Sequence, residues 1–266
     1  MNGRVLIIAG SDSGGGAGIQ ADIKTVTALG GFAATAITAL TAQNTTGVQA
    51  IHEVPADFVR QQISSVLDDI GADAIKIGML HRADIIDAVA DILDEKAPAI
   101  PLVLDPVMVA TSGARLVEDQ AQAVLTRRLL PRADLLTPNA PEAEALSGMS
   151  VTATNDVEAA ADALRGLGAR AVLMKGGHLS GDDVLDLLFA DGVPPERFQG
   201  PRIDSRNTHG TGCTLASACA AGLAQGLTLS AAVRRAHGYV RRAIETAPGY
   251  GRGHGPLNHG HAIAPT

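Results

Sequence analysis

Short apolar runs alternate with helical stripes along the whole chain, and this alternation limits the available folds more than any other feature. The runs Val5–Ala9, Thr35–Thr41, Ala74–Met79, Leu102–Asp105, Asp134–Thr137, Ala171–Lys175 and Val184–Phe189 are candidate strands. Several are almost continuously apolar, as strands buried on both faces of a parallel sheet must be. Between them, Val59, Ile63, Val66, Leu67 and Ile70 recur at helical spacing. So do Ile85, Ile86, Val89, Ile92 and Leu93, and later Val233, Ala236, Val240 and Ile244. The pattern predicts an α/β fold, a central and mainly parallel sheet with helices on both faces. No repeat or linker divides residues 1–266, so one domain is expected. Gly192–Pro201 reads as a loop with room for an edge hairpin, and residues 249–266 as a Gly- and His-rich tail.

Composition removes several functions. The formal net charge is −7, and the aromatic residues are four Phe and two Tyr with no Trp. A nucleic-acid binder needs a basic footprint, and a single-strand binder needs stacking platforms. Neither is present, so no nucleic-acid partner is expected. No apolar stretch reaches the roughly eighteen residues of a spanning helix, so no membrane partner is expected either. Cys213 and Cys219 form neither a disulfide framework nor a zinc spacing, which makes a reducing cytoplasm the expected compartment.

In open α/β sheets, ligands bind beyond the carboxyl ends of the strands. Polar residues gather there: Gly10-Ser11-Asp12, Gln43-Asn44, Gly78-Met79, Asp105-Pro106, Asn139 and Lys175-Gly176-Gly177. The first glycine loop, Gly10–Gly18, lacks the Gly-Lys-Ser/Thr of a Walker A loop. Its Gly16-Ala17-Gly18-Ile19-Gln20-Ala21 matches a dinucleotide fingerprint in form only, because it starts well past the strand. The second, His209-Gly210-Thr211-Gly212-Cys213, runs into a small-residue helix. Glycines ahead of a helix let backbone N–H groups converge where the helix dipole is positive, a cradle for a phosphate or a transferring phosphoryl group.

At this segment the chain resembles the ribokinase superfamily, whose signature is Gly-x-Gly-Asp at a helix start. Here the fourth position is Cys213, a departure typical of the hydroxymethylpyrimidine/phosphomethylpyrimidine kinases of thiamine biosynthesis. The resemblance extends in order through Ala9–Asp22, Leu40–Thr45, Lys76–Leu80, Val103–Met108, Thr137–Glu142, Met174–His178 and Gly253–His259. It implies a ribokinase-like fold and an ATP-dependent kinase. The kinase would act on 4-amino-5-hydroxymethyl-2-methylpyrimidine and then on its monophosphate. Two alternatives stand beside it, a pyridoxal/pyridoxine kinase of the same superfamily and a non-catalytic nucleotide-binding regulator.

Under this resemblance Gly210, Thr211, Gly212 and Cys213 form the anion hole, with Cys213 in the base position. Its place at a helix N-terminus is expected to depress the thiol pKa. Lys175 is expected to meet phosphate oxygens. Gln43 is expected to read the pyrimidine edge, with Met79, Val107 and Gly10 against the ring. Asp22 either accepts from the exocyclic amine or sits on the helix surface near Lys24. Asp105, Asn139 and Glu142 are expected to organise Mg2+, and Asn139-x-x-Glu142 is also a capping-box pattern. His209 is expected to orient the anion hole. The tail histidines His254, His259 and His261 suggest a metal cluster by composition only, and a mobile tail closing near the nucleotide is expected instead. A homodimer is expected from the lack of a lid insertion.

Overall fold

On the first strand, β1 (Arg4–Asp12), Leu6 and Ile8 point to one side while Val5, Ile7 and Ala9 point to the other. Every one of them is buried, so the strand lies in the middle of a sheet covered on both faces. In the computed structural model, which describes residues 1–109, 113, 116, 118–178 and 181–263, this strand belongs to a nine-stranded sheet of order β3-β2-β1-β4-β5-β6-β7-β8-β9. The strands β2 (Phe32–Asn44), β4 (Ala74–Ile77), β5 (Leu102–Leu104), β6 (Leu135–Leu136) and β7 (Ala171–Met174) run parallel with β1. Three antiparallel pairings finish the edges: β3 (Gly47–Glu53) on β2, β8 (Asp183–Ala190) on β7, and β9 (Glu196–Pro201) on β8.

The helices divide between the faces. Against Leu6 and Ile8 pack α2 (Ala56–Asp69), α3 (Ala83–Lys96), α4 (Asp119–Arg128), α5 (Ala140–Ser147) and α6 (Thr154–Gly166). Against Val5, Ile7 and Ala9 pack α1 (Gly18–Ala28), α7 (Thr211–Ala224) and α8 (Leu229–Glu245). Helix α7 presents Ala216, Ala218, Ala220, Ala221 and Cys219 to the core, small side chains that let it lie close to the sheet. Full burial of one Leu or Ile side chain contributes roughly 1.5–3 kcal/mol, and both faces of β1 are lined with them.

The mainly parallel sheet and the edge hairpin reaching into Gly192–Pro201, in part the strand β9, agree with expectation, and two details correct it. Gly10-Ser11-Asp12 does not follow β1 but belongs to it, because pairing continues through Ser11↔Leu40 and Asp12↔Thr41 after a register shift. The segment 47–53, unassigned from sequence, is the edge strand β3. The chain leaves β1 to β2 on one side and returns to β4 on the other, so a crevice opens at the carboxyl ends of β1 and β4. Among the described residues, no helix is long and apolar enough to cross a membrane.

Candidate functional site

The two glycine loops meet face to face. Gly210, the N-cap of α7, has φ 84°, a left-handed conformation that favours glycine. A Cβ on Gly210 would stand 1.9 Å from the Gly16 carbonyl oxygen, so neither loop tolerates a side chain at the contact. Asp12 organises the first loop. Its carboxylate accepts from the N–H groups of Gly14, Gly16 and Ala17 at 2.8, 3.0 and 2.8 Å. His209 Nε2 lies 2.8 Å from the same carboxylate and joins the second loop to it. Burial works against ionisation of Asp12, but His209 and the loop amides outweigh it and hold the pKa below the usual carboxylate range. His209 stands beside the anion hole, where it was expected to orient it; Asp12 was named among the strand-end residues but given no role. Its signal was an acid at the head of a glycine run, where Asx-type turns form.

The end of α7 carries the positive pole of the site. Lys175 follows β7, and Asp105 follows β5. A Cβ on Gly212 would stand 3.2 Å from Lys175 Nζ and 3.6 Å from Asp105 Oδ2, so ammonium, carboxylate and the first turn of α7 converge on one point. Lys175 Nζ is 3.0 Å from Asp105 Oδ1 and 3.4 Å from Glu142 Oε2. Burial disfavours its charge, but Asp105 and Glu142 win and raise its pKa, so it is a fixed cation. Asn139 and Glu142 form the predicted capping box at α5, with bonds of 2.9 and 2.8 Å. Burial pushes the Glu142 carboxyl upward against Lys175. Two buried carboxylates beside an anion cradle are hard oxygen donors of the kind Mg2+ takes together with phosphate oxygens. Asp105 and Glu142 therefore fit the metal, while the Asn139 side-chain oxygen is spent on the helix cap.

Cys213 lies in the first turn of α7 and remains partly exposed toward the crevice. The expected depression of its pKa is reversed. Burial dominates and pushes the thiol up to about 12, with Lys76 pulling the other way. The helix dipole is too small to offset desolvation.

Asp22 needs the larger correction. It is neither on the helix surface nor in the wall of the cavity. It is fully buried, and both its oxygens accept from Lys76 Nζ at 2.9 Å while Ser217 Oγ donates to Oδ1 at 2.7 Å. Burial raises the proton affinity of this carboxyl. The Lys76 ammonium is held charged in turn, raised by Asp22, Cys213 and Asp105 against its own burial. Lys76 was the second residue given no role. A lysine inside the apolar run Ala74–Met79 has no solvent to reach and demands a buried counter-charge.

Asp12, Lys76, Asp105, Glu142, Lys175, His209 and Cys213 line one cavity of about 870 Å³. On the β2–β1–β4 side of the sheet order are Gly10, Gln43, Lys76 and Met79, with Val107 packed against the Met79 cluster. The Met79 methyl would lie 2.5 Å from a Cβ on Gly10, so glycine there lets Met79 lie against the strand backbone. Gln43 Oε1 accepts from Thr41 Oγ1 at 3.1 Å, which aims the amide. Toward the β8–β9 edge are Asp186 of β8, Ile203 just after β9, and His237, Val240 and Ile244 of α8. None of the six Phe and Tyr side chains is in the wall.

The tail is docked, contrary to the expected mobile segment. His254 N donates to Thr45 O at 2.9 Å, and His209 N donates to Gly255 O at 3.1 Å. The buried His259 reaches Thr214 Oγ1 at 3.0 Å, and His261 Nε2 lies 3.0 Å from Tyr239 O. Among the described residues the tail histidines form no ligand cluster, and residues 264–266 lie outside that set.

A family model described as Phosphomethylpyrimidine kinase matches residues 12–258. The hydroxymethylpyrimidine/phosphomethylpyrimidine kinase of Bacillus subtilis is 48% identical over 96% of this chain and 94% of its own. The thiamine biosynthesis bifunctional protein of Geobacter sulfurreducens is 54% identical over 97% of this chain, which spans only 52% of that protein. Among solved structures, a phosphomethylpyrimidine kinase from Clostridium difficile superposes with TM-score 0.81 at 39% identity, covering 91% of this chain and 99% of that one. A pyridoxal kinase from Staphylococcus aureus in complex with ADP superposes with TM-score 0.90 at 34% identity, covering 99% and 95%.

Proposed function

We propose that this chain, which belongs to the phosphomethylpyrimidine kinase family, uses ATP to phosphorylate 4-amino-5-hydroxymethyl-2-methylpyrimidine and then its monophosphate. The diphosphate would feed thiamine biosynthesis. The observation that carries this reading is the convergence of Lys175 Nζ and Asp105 on Gly212 at the start of α7. A transferring phosphoryl group needs positioning and charge stabilisation more than covalent help. The first-turn amides of α7 and the fixed Lys175 ammonium supply both.

The acceptor's flat ring fits the Gln43 end. Gln43 offers a donor and an acceptor to an aminopyrimidine edge. Met79 and Val107 face the ring, and no aromatic residue stacks on it. The nucleotide fits the end with Ile203, Val240 and Ile244, so its γ-phosphate points at the cradle. Magnesium would be held by Asp105 and Glu142, where it would neutralise charge between the phosphates. Cys213 lies beside the transfer point as a protonated thiol, suited to hydrogen bonding with the acceptor hydroxyl rather than to obligatory proton removal.

A second reading is phosphorylation of pyridoxal, favoured by the TM-score of 0.90 to a pyridoxal kinase structure. Release of ADP in a coupled assay separates the two. Turnover of the hydroxymethylpyrimidine and its monophosphate at least tenfold above pyridoxal is expected. Preference for pyridoxal would overturn the first reading, and no ADP release with either acceptor would leave a nucleotide-binding regulator.

A further inference from the structure

The two proposed acceptors differ in charge. The hydroxymethylpyrimidine is neutral, whereas a monophosphate carries roughly −1.5 to −2 near neutral pH. A pocket serving both needs a cation near the acceptor that the first step does not require. Among the described residues, the Lys, Arg and His side chains in the cavity wall are Lys76, Lys175, Arg202, His209, His237 and Arg241. Lys175 stands at the cradle beside Gly212, where the transferring phosphoryl group is placed, and His209 is held by Asp12 between the two glycine loops. Arg202, His237 and Arg241 stand with Ile203, Val240 and Ile244 toward the β8–β9 edge. That leaves Lys76.

We propose that Lys76 is the phosphate-binding residue of the second phosphorylation, receiving the monophosphate of the acceptor on its ammonium. The inference rests on the two-step reading above. An ammonium has three N–H donors. Both recorded bonds of Lys76 Nζ go to Asp22, at 2.9 Å each, which leaves one donor without a protein acceptor among the described residues. The strand holds the ammonium in the wall shared with Gly10, Met79 and Cys213. A Cβ on Gly78 would lie 2.8 Å from Nζ, so glycine there makes room for the fully buried ammonium. Ser217 lies one turn beyond Cys213 on α7 and bonds Asp22, so the pair is fixed to the same helix that carries the cradle. A buried ion pair stabilises a fold little by itself. One set in a ligand cavity with a donor to spare suits an anion that arrives with substrate.

In this step an already ionised oxygen of the monophosphate attacks the γ-phosphorus. The new P–O bond forms as the bond from the γ-phosphorus to the β,γ-bridging oxygen breaks, and that electron pair leaves with ADP. No proton moves at the acceptor. Lys76 therefore offsets charge, whereas Cys213 serves only the step that begins with a hydroxyl.

The test compares wild-type protein with Lys76→Met and with Lys76→Met/Asp22→Asn, which removes both charges together and keeps an acceptor for Ser217. Thermal unfolding selects the variants that fold. Calorimetric binding without nucleotide then measures affinity for the hydroxymethylpyrimidine and for its monophosphate. Step-resolved turnover follows both reactions. The double variant is expected to lose at least tenfold more affinity for the monophosphate than for the alcohol, and at least tenfold more kcat/KM in the second step than in the first. Equal losses for both acceptors in a folded variant overturn the role of Lys76. Absence of turnover with either acceptor in the wild type overturns the two-step reading instead.

Discussion

His209 Nε2 and Asp12 Oδ2 lie 2.8 Å apart, and this contact ties the loop after the catalytic sheet's first strand to the cap of α7. The acceptor pocket and the phosphoryl cradle are thereby held at one spacing. Asp12→Ala removes the acceptor of three loop amides as well as the His209 contact. Leaving buried donors unmet costs about 1–3 kcal/mol each where water cannot replace the carboxylate. Loss of about 3 kcal/mol of stability and at least ~100-fold in kcat/KM is expected. Urea unfolding beside steady-state kinetics checks both. Retention of near-normal kcat/KM would show that the loops find their spacing without the clamp.

Lys175 stands beside Gly212 as the cation of the cradle. Lys175→Met is expected to lower kcat by about 10²–10³, as removal of a positioned donor does elsewhere, with a smaller effect on the KM for ATP. The variant also leaves Glu142 without the ammonium that offsets its burial, so that carboxyl becomes easier to protonate. Its activity should therefore fall further as pH drops toward 5. A loss confined to KM would assign Lys175 to ground-state binding of the nucleotide.

Cys213 titrates near 12, raised by burial. At pH 8 it is a thiol, and its alkylation by iodoacetamide should be slower than that of a free cysteine. The other cysteine, Cys219, is completely buried and should not contribute. Cys213→Ala is expected to reduce the first phosphorylation by about tenfold and the second by much less, because a monophosphate has no proton to lose. Equal losses in both steps would mean that the thiol only fills space.

Gln43 is the polar edge set beside Met79 and Val107 in the acceptor pocket. Gln43→Ala is expected to raise the KM for the aminopyrimidine by roughly 10–100-fold, the loss of one or two hydrogen bonds, while the KM for ATP stays within threefold. Isothermal titration with the pyrimidine alone checks the binding part. A bound structure with Phe or Tyr stacked on the ring would contradict this account of recognition.

The sheet was legible because its strands are buried on both faces, and an apolar run such as Val5–Ala9 has few other places to go. The edge strand β3 was not. Its Gln49, Ala50 and His52 are exposed, so the segment carries no continuous apolar signal. The cradle was visible from its glycines, since only they permit the contact of Gly210 with Gly16. The error at Asp22 has a physical origin. A helix stripe shows which residues face inward on average, but an acid turned inward looks the same in sequence as an acid at the surface. The partner strand held the missing clue, because Lys76 sits where only a counter-charge could keep it. The expectation for Cys213 failed on magnitude: a helix terminus contributes about 1 kcal/mol or less to a nearby charge, and burial opposes it more strongly. The docking of the tail depends on contacts between Thr45 and Gly253, residues too far apart in the chain for any local pattern to link.

That docking has a pH signature. His259 is only 4% exposed and reaches Thr214 Oγ1, whose hydroxyl donates to Gly210 O at 2.8 Å. Burial first, then Lys24 and His261, push its pKa down to about 4. The unfolded chain would protonate the same ring near 6.5. Below that pH the unfolded state takes up a proton that the native state refuses, so stability falls as pH drops from about 6.5 to about 4 and the loss is then complete. At 1.36 kcal/mol per pKa unit, the total is about 3 kcal/mol. His259→Gln keeps a polar contact to Thr214 but cannot titrate. It is expected to lower stability at pH 7.5 by roughly 1 kcal/mol and to flatten the decline between pH 6.5 and 4.5. The slope that remains belongs in part to His237, whose pKa burial also lowers, and in part to carboxylates such as Asp12 that the fold holds below their usual range. Urea midpoints at four pH values decide the matter: an unchanged slope in the variant would place the acid sensitivity elsewhere than the tail.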